Sequence, residues 1–296
     1  MEVQHHALTC EDGIRITLVQ VTPSGAPIKA NIVMVPGLFT NTAFWLSAKG
    51  KGLAAYLADQ GFCCWLVKRR GLGEKVRRTK PAARLGLDEH VAFDLPAVQT
   101  FVADHNDNEI FWLGHSFGGV AIAKAFTHHL DPERAAGIVL LASQCEVGLR
   151  SLKAPTSWLL QSLAGIGGAF PSKRLGLGNC DEPPAAMRDA CAWVRASRAP
   201  RHRIKVAPFF KGFSSIDLPL LALVGKGDRS DPPEGCARFV DKFGGTRTSF
   251  EVLGREAGFL EDYTHAGIVV SQQASQDVWP LIGKWIDDTY QATGSV

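Results

Sequence analysis

Strand and helix signals alternate along most of the 296 residues. That alternation predicts an α/β fold with a mostly parallel, eight-stranded sheet and helices on both faces. Two further observations support it. The central strands read as continuous apolar runs, as in Ile32-Val33-Met34-Val35, which suits strands covered on both sides. One such run, Ile110-Phe111-Trp112-Leu113, passes through Gly114-His115-Ser116-Phe117-Gly118-Gly119 into the helical pattern Val120–Phe126. A serine thus stands on a sharp strand-to-helix turn, in strained backbone, with its hydroxyl above the sheet edge. Gly114 and Gly118 are expected where strand and helix close on each other, and Gly119 gives the helix room to pack.

The elements follow in order. His6–Cys10 and Ile14–Val21 predict an opening hairpin that turns at Glu11-Asp12-Gly13. Ile32–Val35 is a short buried strand, stopped by Pro36-Gly37. A helix is expected over Lys51–Gln60, with Gly61 as its stop signal. Phe62–Val67 is the next strand and ends in Lys68-Arg69-Arg70-Gly71. His90–Asp104 carries Val91, Phe93, Leu95, Val98, Phe101 and Val102 at helical spacing. Beyond the serine turn, strands are expected over Ala136–Leu141, Leu220–Val224 and Ser249–Leu253, and Trp279–Tyr290 closes the chain as an amphipathic helix.

The interval from Cys145 to Ile216 breaks this rhythm. It has no clear buried strand, and it lies between two core strands, where an insertion sits over the C-terminal edge of the sheet. The expectation is a core of residues 1–144 and 217–296 with a helical cap over 145–216. Between Arg150 and Lys205 the cap holds ten Lys/Arg against three acidic residues. A solvated cap face accounts for that imbalance, and attraction for an anionic substrate group or membrane surface is the other reading.

Composition narrows the class. Hydrophobic content of 46% and charged content of 21% belong to a globular chain with a substantial core. A net charge of +3, without a basic, aromatic-interleaved motif, gives no case for nucleic acid. No apolar run approaches the roughly 20 residues needed to cross a bilayer. Met1-Glu2-Val3-Gln4-His5-His6 has no charged-then-apolar signal pattern. The seven cysteines form no C-x-x-C pair, and Cys63 and Cys64 are neighbours in a strand whose successive side chains point to opposite faces. Buried free thiols and a cytoplasmic location are expected, with no cofactor and no metal.

A serine hydroxyl is a poor nucleophile until a base takes its proton and an acid orients that base. On a sheet with such a turn, acid and base follow the serine in that order. The strand Leu220–Val224 runs into Gly225-Lys226-Gly227-Asp228-Arg229-Ser230-Asp231-Pro232-Pro233. Asp228 is the favoured acid. Asp231 competes with it, but precedes a proline that biases it to extended backbone and a loop-shaping role. The base is His265, after the last strand and before the closing helix. Asp262 is either its supporting partner or a simple loop carboxylate, and His115 reads as a packing residue. Oxyanion donors are expected from the backbone N–H of Phe117 and of Leu38, on the loop after the early strand. Phe39, Phe44, Trp45, Trp158, Leu159 and Leu163 are candidates for an acyl pocket, with core packing as their alternative.

With these pieces in order the chain resembles an α/β-hydrolase over nearly its whole length. Within that superfamily it is most similar to the acid lipases and the related polyhydroxyalkanoate synthases. Val35-Pro36-Gly37-Leu38 with Phe44-Trp45 looks like that group's oxyanion segment. Leu57–Phe62 through Trp65 to Arg70-Gly71 resembles its helix–strand with an R-G turn, and Asp94-Leu95-Pro96-Ala97 its helix start. The resemblance implies a triad of Ser116, Asp228 and His265. Pro36 stands where many relatives have histidine, and serine replaces the synthases' cysteine, which points to transfer to water. The expectation is a serine hydrolase acting on a small-molecule or lipid-like ester. Thioester cleavage or acyl transfer with the same triad is the nearest alternative. A catalytically silent fold that binds a hydrophobic ligand or a partner is the alternative of another class.

Overall fold

A computed structural model describes residues 1–25, 27–72, 84–146, 168–198 and 208–293. Its strands are β1 (Glu2–Thr9), β2 (Arg15–Thr22), β3 (Asn31–Val35), β4 (Cys63–Lys68), β5 (Ile110–His115), β6 (Ala135–Leu141), β7 (Leu220–Gly225) and β8 (Thr248–Leu253). They form one sheet in the order β1-β2-β4-β3-β5-β6-β7-β8. β1 and β2 pair antiparallel, as do β2 and β4, and all remaining pairs are parallel. β1 begins four residues earlier than its hydrophobic pattern predicts. Its first half is exposed and carries a single apolar residue, Val3, so backbone pairing, Glu2 opposite Thr22 onward, defines it as an edge strand.

The helices are α1 (Leu53–Asp59), α2 (Leu87–Glu89), α3 (Leu95–His105), α4 (Phe117–Phe126), α5 (Pro184–Ala196), α6 (Pro233–Val240), α7 (Gly267–Val270) and α8 (Val278–Thr293). α3, α4 and α5 bury Val98, Val120 and Trp193 with Trp112 on one face of the sheet. α1 and α8 bury Leu53, Leu57, Ile282 and Ile286 with Phe111 on the other. The continuous apolar strands therefore have a helical cover on each side, as their sequence requires. Each such aliphatic side chain contributes about 1.5–3 kcal/mol by leaving water. Cys63 and Cys64 fall into opposite clusters, and all seven cysteines are buried free thiols.

The expected helix over His90–Asp104 has a π-helical stretch, His90–Asp94, between α2 and α3. Asp94 is the reason this turn faces inward. It accepts hydrogen bonds from Arg70 Nη2 (2.6 Å) and Nε (2.9 Å), and its other oxygen lies 2.7 Å from His90 Nδ1. Arg70 also donates to Asp12 in the opening turn at 2.7 Å, so one buried guanidinium ties hairpin, β4 end and helix together. Two of the segments that carry the family resemblance thus meet each other. Among the described residues between β6 and β7 are an antiparallel bridge from Phe170 to Glu182 and the helix α5. Among the described residues no helix is long and apolar enough to cross a membrane.

Candidate active site

Parallel strands deliver their C-terminal ends to one edge, and the loops leaving those ends meet there. β5 ends at His115, and Ser116 follows with φ 53° and ψ −127°, in left-handed backbone that a non-glycine residue adopts only when its surroundings hold it. A Cβ on Gly114 would stand 2.5 Å from the Gly119 backbone, and one on Gly118 would stand 2.2 Å from the Val35 carbonyl oxygen. Only glycines let strand and helix approach so closely. Ser116 N–H is fixed on Leu141 O at 2.8 Å, so β6 anchors the turn.

Asp228 lies on the loop after β7 and is buried. Its Oδ1 accepts the backbone N–H groups of Ser230 (2.8 Å) and Asp231 (2.9 Å), and its Oδ2 lies 2.8 Å from His265 Nδ1. With a carboxyl oxygen as its acceptor, Nδ1 is the ring nitrogen that carries the proton of the neutral imidazole, and Nε2 is left to face Asp231. Burial pulls the His265 pKa down, but the Asp228 hydrogen bond and the charges of Asp231 and Asp228 outweigh it, so the net direction is upward.

Asp231 is not a loop-shaping residue turned away from the chemistry. Ser116 Oγ donates to Asp231 Oδ2 at 3.1 Å, and the same oxygen is 3.8 Å from His265 Nε2. Among the described residues no hydrogen bond joins Ser116 to His265. Gln144 Nε2 donates to the other Asp231 oxygen. Burial, opposed by His265 and reinforced by Asp228, raises the Asp231 pKa to about 6. Pro232 and Pro233 start α6, and the extended backbone before them carries Asp231 inward.

His115 is buried, and its Nε2 lies 2.8 Å from the His265 backbone oxygen. A carbonyl only accepts, so Nε2 carries the proton. Burial and the neighbouring His265 charge hold the His115 pKa well below the ordinary value, which keeps the ring neutral. The ring packs between Phe44 and His265 with centroids 4.6 Å from each, so this packing residue also seats the His265 loop. Asp262 accepts the Arg255 N–H at 3.0 Å and is a loop carboxylate.

The opposite wall is the loop after β3. Among the described residues neither the Leu38 N–H nor the Phe117 N–H has a protein acceptor. Phe39 adopts φ 64°, and both of its backbone groups are held: its N–H donates to Glu182 Oε1 at 2.6 Å and its carbonyl accepts the Cys180 N–H at 3.1 Å. Glu182 is fully buried beside Arg69, whose Nη2 donates to the same Oε1 at 2.6 Å. Residues 178–182 thus clamp the loop that carries Leu38, and a Cβ on Gly178 would stand only 2.3 Å from Phe39 O.

A cavity of about 490 Å³ opens over these groups, lined by Leu38, Phe39, Phe44, His115, Ser116, Phe117, Cys145, Leu177, Val194, Asp231, His265 and Val270 among others. Phe39 and Phe44 line it. Trp45 does not, because it is fully buried in the cluster under α1 on the other face of the sheet. Trp158, Leu159 and Leu163 lie outside the described residues.

A profile of the alpha/beta hydrolase family matches residues 32–271. In structure the chain is similar to a soluble variant of monoglyceride lipase from Saccharomyces cerevisiae, with TM-score 0.66, 13% identity and coverage of 97% of this chain and 95% of that one. It is also similar to the Paleococcus ferrophilus monoacylglycerol lipase, with TM-score 0.61, 15% identity and coverage of 98% and 100%. A thermophilic esterase from Thermogutta terrifontis matches with TM-score 0.61 at 17% identity, over 97% and 99%. At these identities the likeness bears on the fold alone. In sequence, triacylglycerol lipase 2 of Arabidopsis thaliana is 24% identical over an alignment of 152 residues that covers 46% of this chain and 36% of that relative. The match therefore spans about a third of that lipase's length.

Proposed function

The chain belongs to the alpha/beta hydrolase family, and from that premise we propose that it is a serine hydrolase that cleaves carboxylic esters through an acyl-enzyme on Ser116. One observation carries the reading: a serine in left-handed backbone shares a cavity with a histidine whose far nitrogen lies 2.8 Å from a buried aspartate. In the reaction, His265 Nε2 takes the Ser116 proton as Oγ attacks the acyl carbon. The carbonyl oxygen gains charge between the N–H groups of Leu38 and Phe117, which are fixed before the reaction begins. His265 returns the proton to the departing alkoxide, and the alcohol leaves. Water then attacks the acyl-enzyme by the same route, and Asp228 stabilises the imidazolium formed in each half.

The narrower kinship with acid lipases and polyhydroxyalkanoate synthases, read from Val35–Leu38, Arg70-Gly71 and Asp94–Ala97, belongs to the same proposal. So does the division into a core and a cap over 145–216. Leu177, Val194 and Phe39 give the cavity an apolar wall suited to an acyl chain. Hydrolysis of nitrophenyl esters with two- to sixteen-carbon acyl chains tests the reading. Native protein is expected to turn them over with a chain-length optimum, and Ser116→Ala to lose at least ~10⁴-fold in kcat. Folded native protein with no ester turnover overturns it in favour of thioester cleavage, acyl transfer or ligand binding.

A further inference from the structure

The triad reading leaves Asp231 without a task, yet its carboxylate is the group that the Ser116 hydroxyl touches. Asp231 is buried, and Gln144 fixes one of its oxygens. The other oxygen is 3.1 Å from Ser116 Oγ and 3.8 Å from His265 Nε2. Those are the two atoms between which the proton travels during acylation. The leaving atom of a substrate collects its proton from His265 Nε2, so it passes close to Asp231 Oδ2 as well.

We propose that Asp231 is a specificity-determining residue that selects substrates whose leaving group presents a hydrogen-bond donor beside the scissile bond. The inference rests on the triad reading. An ionised carboxylate only accepts hydrogen bonds, and Oδ2 takes the one the serine offers. A hydroxyl on the carbon next to the leaving carbon–oxygen bond, or the N–H of a leaving amide, supplies a replacement donor at that position. That donor competes with Ser116 O–H for Oδ2 and weakens the bond they share, so the hydroxyl turns more readily about Cβ–Oγ to His265 Nε2, the orientation acylation needs. A leaving group without a donor must break the Ser116–Asp231 bond with nothing in exchange, and it leaves a buried carboxylate short of a partner. The selected group therefore acts twice, by binding Asp231 and by releasing the nucleophile.

Matched pairs test this. The first is 2-hydroxyethyl hexanoate against 2-methoxyethyl hexanoate. The second is hexanoyl 4-nitroanilide against its N-methyl analogue. Each is measured as kcat/KM with native enzyme and with Asp231→Asn, after native activity on nitrophenyl esters has been established. The substitution keeps the size and the polar character of the side chain but places an N–H₂ where Oδ2 stood, so it offers the substrate a donor instead of an acceptor. The expected result is a native preference of roughly 10- to 100-fold for the donor-bearing member of at least one pair. In Asp231→Asn that preference falls to within about twofold or reverses. Selectivity in the ester pair assigns the donor to a hydroxyl, and selectivity in the anilide pair assigns it to an N–H. Equal rates within both native pairs, or a preference that survives in Asp231→Asn, overturn the inference while leaving the ester hydrolase reading intact. No turnover of any ester overturns that reading and this inference with it.

Discussion

The two walls of the cavity are built from different stretches of chain. The wall to which the proposal assigns proton transfer uses only loops at the ends of core strands: Ser116 after β5, Asp228 after β7 and His265 after β8. The wall to which the proposal assigns the oxyanion is held by a residue from between β6 and β7, because Glu182 supports the strained Phe39 next to Leu38. Two adjacent arginines mark the division. Arg70 is fully engaged by Asp12, Asp94 and the Arg84 carbonyl and belongs to the scaffold. Arg69 pairs with Glu182, and one of its nitrogens, like Glu182 Oε2, has no partner among the described residues. The teaching is that the first wall depends on the sheet, whereas the second depends on how the segment around Phe170–Glu182 sits on it.

The largest loss is expected on the wall that holds Ser116 and His265. Asp228→Asn is expected to lower kcat by about 10⁴-fold while leaving the fold in place, because the amide holds the imidazole in the wrong tautomer. Steady-state kinetics on a nitrophenyl ester, with circular dichroism as the control, checks it. Arg70→Met is expected to act on stability alone. Leaving Asp94 buried without its guanidinium, with only His90 and Cys10 beside it, costs about 3–5 kcal/mol, read as a lower urea midpoint with unchanged kcat in folded protein.

Glu182→Gln sharpens the contrast from the other wall. It keeps an acceptor for Phe39 N–H but removes the charge facing Arg69, so the loop loses a charge-assisted hydrogen bond worth about 1.5–3 kcal/mol. The expected result is a kcat about 10- to 100-fold lower, with KM and the pH profile little changed. A purely structural role for Glu182 predicts lower stability with native kcat in the folded fraction.

The smallest effect is on pH dependence. The base works only when neutral, and His265 has its pKa above the ordinary value, so activity is lost as pH falls through that raised pKa. Asp231→Asn removes one of the charges that stabilise the imidazolium, so the acidic limb is expected to move to lower pH by about one pH unit. The profile of kcat/KM checks it. Stability carries the opposite signature. The folded Asp231 pKa of about 6 lies above its ordinary 3.8, so its carboxyl contributes stability below that ordinary value which is lost as pH rises through about 6. Asp231→Asn is therefore expected to gain in Tm at pH 8 relative to native, with the gain shrinking toward pH 4.

The same contrast explains what was legible in the sequence. The sheet was readable because burial on both faces leaves continuous apolar runs, and the Ser116 turn because its glycine requirements are local. Asp228 and His265 are read from strand ends; the structure places His265 on the cavity with Ser116, and Asp228 2.8 Å from the His265 ring. The contact of Asp231 with Ser116 spans 115 residues and that of Glu182 with Phe39 spans 143, so no local pattern announces either. Asp231 carried a misleading signal, since a residue before proline reads as loop backbone whichever way its side chain points. Trp45 failed for a related reason: after a loop, an aromatic reaches either the cavity or the underside of the sheet, and only packing decides. Exposed Glu2–His5 offers only Val3 as a hydrophobic trace of the first half of β1.

The most direct test of the central claim is the intact mass of the protein after treatment with a fluorophosphonate, followed by peptide mapping. The account predicts a single adduct on Ser116, absent from Ser116→Ala and formed far more slowly in His265→Ala. No adduct on folded protein, or labelling at the same rate in Ser116→Ala, would contradict it.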